Sequence, residues 1–533
     1  MSRSLKNISI VSLATILSRF LGLARDILVT AIFGASGLAS AFVTAFTLPS
    51  LFRRLLGEGA LTAALVPTLN EELAADRKDS AFRIVNEVTS WLGLIILLIV
   101  SGAMVSLNLL ADSSWLRDVS ANPDQWQRWQ SAAHLAVLLF PYLLFVCLAA
   151  AFSAALQTLG RFVAPAISPI LLNVSMIVAL GWAVWGIGIE LGDARMRWLC
   201  AGVLFGGFWQ MIVPAVALSR VGWRPAWGFR LSPAVRSILL LMGPTVVGTA
   251  IYLINLSVTR IIGLSLNDSA AAILNLATRL VELPIGVFAI AVTTVVFPLI
   301  SQHAAKEHWS DMAAVYHKGM RLILAINIPA AVGMVLLAAP IIRVLFERGE
   351  FRASDTAEMI PVLGIFAVGL PVFAYVSLLL RAFYARKDTR TPMWAALLSF
   401  FVNIGLCFAL KDVWSTQGLA VASTIAVMVQ AAYLQRALTM RRPELSFSPL
   451  ARDLAKIVVS SVGMGIAVAF GKWGLSSAGS GMAMDLLRLA MLIPVGAGVF
   501  AALAFALKLE GRQELVNLVR RRLTGTASDS SVL

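Results

Sequence analysis

The chain has 533 residues, 59 % of them hydrophobic and 13 % charged, with a formal charge of +15 and a mean hydropathy of +0.85. Water-soluble domains carry roughly a quarter charged residues, so this composition excludes a soluble protein and turns most of the chain toward lipid or other helices. Backbone groups in lipid have to bond within their own segment, which leaves an all-α polytopic membrane protein.

Apolar segments of about 20 residues cross a hydrocarbon core of about 30 Å. Such segments predict about fourteen transmembrane helices, over 8–33, 39–69, 88–111, 131–158, 166–189, 198–219, 236–264, 270–301, 319–343, 359–384, 392–410, 416–437, 454–472 and 485–507. The first is no cleavable signal: it is too long, it contains arginines, and no small-residue cleavage site precedes a soluble body.

Helix 1 reads Ser18-Arg19-Phe20-Leu21-Gly22-Leu23-Ala24-Arg25-Asp26, and Arg19 lies about 16 Å in from Ile8 at about 1.5 Å per residue. Arg19 and Arg25 stand about 120° apart around the helix, so one can address a substrate while Asp26 holds the other. Gly22 between them lets a neighbour come close. Helix 2 carries Arg53, Arg54 and Glu58, and Pro49 with Gly57 and Gly59 predicts a bend there. Helix 8 carries Arg279 and Glu282 one turn apart, with Arg279 about 14 Å from Ala270.

A charge at bilayer depth costs at least about 2.5–3.5 kcal/mol, so these residues face a water-filled cavity or one another. Arg54 and Arg25 can instead snorkel to headgroups. Arg54–Glu58 and Arg279–Glu282 can be structural ion pairs at helical spacing. Arg19, Arg53 and Arg279 are too deep for easy snorkelling and are not matched by as many acids. Their surplus charge predicts an anionic ligand, and a planar guanidinium fork suits phosphate best.

The connections sort by charge. Arg3, Lys6, Arg77, Lys78, Arg83, Arg161, Arg220, Arg224, Arg230, Lys306, Arg386, Lys387, Arg390, Arg441, Arg442 and the Arg520–Arg522 run fall on one side. Asp112, Asp118, Asp124, Glu190, Asp193, Asp268, Glu347, Glu350 and Asp355 fall on the other. The positive-inside rule puts the first side and both termini in the cytoplasm, and this placement of the charge argues against nucleic acid as a partner. The basic tail near Lys508–Arg522 either lies on anionic lipid or simply retains the C-terminus.

Two sequence matches recur at nearly one spacing. Thr62-Ala63-Ala64-Leu65-Val66-Pro67 pairs with Thr293-Thr294-Val295-Val296-Phe297-Pro298, and Ala155-Leu156-Gln157…Ala164-Pro165 pairs with Ala382-Phe383-Tyr384…Thr391-Pro392, at offsets of 231 and 227 residues. They predict a duplicated six-helix unit: lobes over 1–220 and 221–440 in the same orientation, two appended helices over 441–510, and a cytoplasmic tail over 511–533. Parallel repeats of this kind belong to transporters that rock two bundles about a central cavity. Cys147, Cys200 and Cys407 lie in apolar segments as small core residues. His303, His308 and His317 share one polar connection without ligand spacing, and no phosphate loop, nucleophile elbow or zinc motif is present. The expectation is a transporter, with no metal, no cofactor and no catalytic residues.

The chain resembles the MurJ (MviN) family, the lipid II flippases of bacterial cell-wall synthesis. The carrying residues are Ser18-Arg19…Gly22…Ala24-Arg25-Asp26, Ile32-Phe33-Gly34, Pro49…Arg53-Arg54…Glu58-Gly59-Ala60 and Val66-Pro67. Further on they are Arg279-Leu280…Glu282-Leu283-Pro284…Gly286-Val287, Leu345-Phe346…Gly349…Phe351 and Phe383-Tyr384-Ala385…Asp388-Thr389…Thr391-Pro392. The resemblance implies two six-helix lobes around a cationic cavity in a bacterial inner membrane, with helices 13 and 14 forming a groove for a lipid tail. It implies lipid II, an undecaprenyl pyrophosphate carrying a disaccharide-peptide, as substrate, moved by alternating access among membrane lipids and beside cell-wall synthesis proteins. Carried over residue by residue, the substrate-binding set is Ser18, Arg19, Arg25, Asp26, Arg53, Glu58 and Arg279.

Another polyprenyl-pyrophosphate cargo would satisfy the same arginines, whereas a cationic drug would need acids in their place. The sequence also departs from the family. Ala39-Ser40-Ala41-Phe42 stands where a Thr-Asp-Ala-Phe run is common, and Thr278 stands where Asp often precedes the helix 8 arginine. Where some members hold sodium with acids in helices 7 and 11, this chain offers Thr259 and Cys407, with Asn403 as the fitting polar residue. Sodium coupling is therefore not expected.

Overall fold

The computed structural model describes residues 3–52, 61–120, 122–286, 290–475, 479 and 481–510. Among them there is no strand. In chain order the helices are α1 (Arg3–Phe33), α2 (Gly37–Phe52), α3 (Leu61–Ala74), α4 (Lys78–Ala111), α5 (Ser114–Val119), α6 (Pro123–Leu139), α7 (Tyr142–Thr158), α8 (Val163–Gly181) and α9 (Gly192–Ser219). They continue as α10 (Pro233–Leu266), α11 (Ala270–Pro284), α12 (Ile290–Ala305), α13 (Trp309–Leu336), α14 (Ala338–Leu345), α15 (Ala353–Ala385), α16 (Arg390–Arg441), α17 (Ala451–Gly474) and α18 (Met482–Ala506). Eight spans among the described residues are long and apolar enough to cross a membrane, nine if α6 and α7 form one bent span. The expected all-helical, multi-pass architecture is present.

Local chemistry breaks several predicted helices. The segment 131–158 was expected to be one helix; instead α6 and α7 meet at a 42° bend, where Pro141 lacks the N–H that would continue the ladder. The 52-residue α16 joins two predicted helices at Ser415, whose φ of +47° and ψ of −129° interrupt the helical path. The predicted helix 319–343 likewise divides into α13 and α14 at Leu337. The predicted bend among Arg53, Arg54, Gly57, Glu58 and Gly59 lies outside the described residues.

The chain divides into two compact units. Unit 1 comprises residues 1–275 with Arg348–Asp355, and unit 2 comprises 276–347 and 356–533. In unit 1, α1 packs on α8, α8 on α9, α7 on α9, and α2 on α6 and α10. The 220–232 connection lies along the first turns of α4: Lys78 donates to the Val221 carbonyl (2.9 Å), Asn86 to that of Arg224 (3.0 Å), and Ser232 to Glu87 (2.6 Å). These two basic connections therefore share one end of the unit. In unit 2, α13 packs on α12 and α17, and α18 on α14 and α17. Its core includes the fully buried Tyr316, Ile323, Leu378, Phe383 and Leu434, and the Tyr316 and Tyr375 hydroxyls both donate to Gln435 (3.0 and 2.5 Å).

Candidate functional site

Helix α1 presents its arginines to different surroundings. Arg25 donates to Asp26 from Nε (3.0 Å) and Nη2 (2.7 Å), and from Nη1 to Asn173 Oδ1 on α8 (2.9 Å). Only 12 % of the Arg25 side chain and 15 % of the Asp26 side chain are exposed. Asn173 also donates to the Ser18 carbonyl (3.2 Å), so one amide ties both ends of the motif to α8. Gly22 faces it, and a Cβ there would lie 3.7 Å from Asn173 Nδ2. Arg19, half-buried, makes no hydrogen bond or ion pair among the described residues. Of the two arginines, Asp26 thus holds Arg25.

The other expected site residues divide similarly. Arg279 reaches Glu282 at 3.4 Å, with 41 % and 48 % of the two side chains exposed. A contact that long and open contributes little. Arg279 lies in unit 2 and the α1 group in unit 1. Arg53 and Glu58 lie outside the described residues.

Unit 1 holds two further arginines that the sequence reading did not select. Arg260 on α10 donates to Thr47 (2.5 Å) on α2 and to Asn275 (3.0 Å) on α11. Arg128, 9 % exposed at its side chain, pairs with Asp268 (2.8 Å) and donates to the Leu264 carbonyl (2.9 Å). Both clamp helices far apart in sequence, and neither shows a local spacing that would have revealed it. Ser40 is fully buried. Its hydroxyl donates to the Asp268 carbonyl (2.5 Å) and accepts from the Ala272 N–H (3.1 Å), fastening α2 to the α10–α11 turn.

Two of the quoted motifs meet each other. Gly34 has φ +61° and Gly349 φ +60°, and the Glu350 N–H donates to the Ala31 carbonyl (2.9 Å). A Cβ on Gly349 would stand 2.0 Å from the Ala31 oxygen, and one on Gly34 2.6 Å from the Glu350 oxygen. Only glycine allows this approach at a positive φ.

Asn403 Oδ1 accepts from the Ser423 hydroxyl (3.3 Å) and, weakly, from the Cys407 thiol (3.7 Å), all groups without charge. The histidines do more than the sequence implied. His303 and His308 converge on Asp311 at 3.9 and 3.6 Å, with ligand atoms all within 4.8 Å of one another, a group that could hold a metal. His308 and Asp311 are exposed. His317 instead bonds the Ser446 carbonyl (2.8 Å).

Comparison with known proteins agrees with this architecture. A family model described as lipid II flippase MurJ matches residues 29–485. The chain is 34 % identical over 514 residues to a probable lipid II flippase MurJ of Rhizobium tropici, spanning 96 % of this chain and 95 % of that one. It is 32 % identical over 534 residues to a protein of the same description from Rhizobium meliloti strain 1021, spanning 99 % and 97 %. A solved structure described as lipid II flippase MurJ in an inward closed conformation shares the fold. Its TM-score is 0.76 at 24 % identity, over 93 % of this chain and 99 % of that one.

Proposed function

Because the chain belongs to the lipid II flippase MurJ family, we propose that it translocates lipid II from the cytoplasmic to the outer leaflet of a bacterial inner membrane by alternating access, with no covalent step. The observation that carries this reading is the contrast on α1. Arg25 is held by Asp26 and Asn173, while Arg19 has no counter-charge among the described residues. A half-buried guanidinium without an acid is stabilised by an anion that arrives with the substrate, and a diphosphate offers paired oxygens for its fork.

The substrate-binding set in this reading is Ser18, Arg19, Arg25, Asp26, Arg53, Glu58 and Arg279. An incoming diphosphate competes with Asp26 for Arg25, and the released acid is then free to take another partner. The same competition applies to Glu58. Lobes over 1–220 and 221–440 would form the moving bundles, with about fourteen spans in all and both termini cytoplasmic. The helices of 441–510 would receive the lipid tail. Transport proceeds without sodium in this account, since a sodium site of about five or six oxygens usually includes a carboxylate. Asn403 accepts from the Ser423 hydroxyl and the Cys407 thiol, both neutral groups.

Depletion in a cell lacking another flippase tests the cargo. The expected result is lysis, with lipid II accumulating in the inner leaflet. Normal wall growth after depletion would point to a different polyprenyl-pyrophosphate cargo.

A further inference from the structure

Three span ends converge at one end of unit 2. Trp309 opens α13, Arg386 follows the last residue of α15, and Arg442 follows the last residue of α16. The guanidinium carbon of Arg442 lies 3.8 Å from the Trp309 ring centroid and that of Arg386 lies 5.7 Å from it. The indole thus gathers two cations beside one ring.

Neither cation is satisfied by the described residues. Among the described residues no acceptor bonds either guanidinium, and Arg386 Nη1 and Arg442 Nε are buried without a hydrogen-bond partner. The nearby acid is already engaged: Asp388 accepts from the Thr391 N–H (3.1 Å) and hydroxyl (2.7 Å) and pairs with Arg441. Burial pushes the Arg386 guanidinium below its ordinary range, and the charges of Arg442 and Arg441 push it the same way, against a smaller pull from Asp388. Like charges held together in part-buried surroundings are costly unless an anion sits between them.

We propose that Arg386 and Arg442, both held at the Trp309 ring, bind the phosphate of an anionic phospholipid headgroup. The inference rests on α13, α15 and α16 being membrane spans and not on the identity of the transported cargo. Residues one position beyond the ends of such spans stand at headgroup depth, where tryptophan rings also settle. Free inorganic phosphate has the same recognition chemistry, but it gives no reason for the groups to sit at that depth. On this account the bound lipid ties the ends of α13, α15 and α16 together and relieves their mutual repulsion.

The test titrates the purified full-length protein, in neutral detergent, with phosphatidylglycerol and with phosphatidylcholine, counting retained lipids by native mass spectrometry. The wild-type protein should retain one phosphatidylglycerol in preference to phosphatidylcholine, a comparison that needs no variant. Arg386→Gln and Arg442→Gln should each weaken that retention about tenfold, the effect of losing one charge-assisted contact. Arg224→Gln, which removes an exposed basic residue of unit 1, should leave it unchanged. Equal retention of the two lipids by the wild type, or equal retention by wild type and both glutamine variants, would overturn the proposal. Displacement of the lipid by millimolar inorganic phosphate would overturn the lipid as the ligand and assign the site to the free anion.

Discussion

Arg19 and Arg25 occupy one helix and are chemically unlike, which sets what each substitution should do. Arg19→Ala removes a cation that has no counter-charge among the described residues. It should abolish support of cell-wall synthesis while the protein accumulates normally, and Arg53→Ala and Arg279→Ala should do the same. Lysine should rescue only in part, because it supplies a point charge where the fork is needed. Full activity of Arg19→Ala at normal levels would leave this arginine a structural residue. Asn173→Ala strikes the positioning of Arg25 instead. It removes the acceptor at 2.9 Å and the bond to the Ser18 carbonyl, a loss of about 1–2 kcal/mol. Thermal unfolding in detergent should report it as a lower melting temperature together with weakened transport; an unchanged melting temperature would contradict the role. The charged members of the proposed site stand out in the sequence because charges are costly at membrane depth. Asn173 was not, since a neutral amide in an apolar helix, 148 positions from Arg25, carries no local signature.

At the scale of elements, hydropathy and length located the helices well, because crossing a membrane demands both. The breaks were less visible. Pro141 bends α6 from α7 inside an apolar run that showed no gap, whereas the break at Ser415 falls in the gap expected between 392–410 and 416–437. Long-range joints were hidden for the same reason as Asn173: Ser40 and Arg128 meet partners more than a hundred residues away in sequence, as does Arg260 at Thr47. The contact between Gly34 and the 348–355 segment is a joint of this kind. Gly349→Ala should cost about 2 kcal/mol or more, combining the positive φ with the collision against Ala31. Loss of stability without loss of membrane insertion is the expected outcome, read by unfolding in detergent. Gly333→Ala, with nothing within 4 Å of the added carbon, should be far milder. If the two variants melt alike, the close approach does not constrain the fold.

For the whole molecule, the charge asymmetry of the connections leads to the orientation. A cysteine at Arg224 should stay unlabelled by an impermeant reagent added outside whole cells, and one at Asp124 should react. The reverse pattern would invert the protein in the membrane. Energy coupling belongs to this scale too, because it would link ion chemistry to the movement of the proposed lobes. Replacing sodium by potassium should leave transport intact; loss of transport, restored by millimolar sodium, would direct attention to Asn403 and its neighbours.

The central claim is that the protein itself moves lipid II across the bilayer using the charge of Arg19. Purified protein in sealed vesicles carrying lipid II on one face addresses it directly, with the fraction of headgroups reaching the other face followed over time. The account predicts rapid crossing with the wild-type protein and crossing no faster than in protein-free vesicles with Arg19→Ala. Equal rates for wild-type and empty vesicles, with the protein shown to be folded, would contradict it.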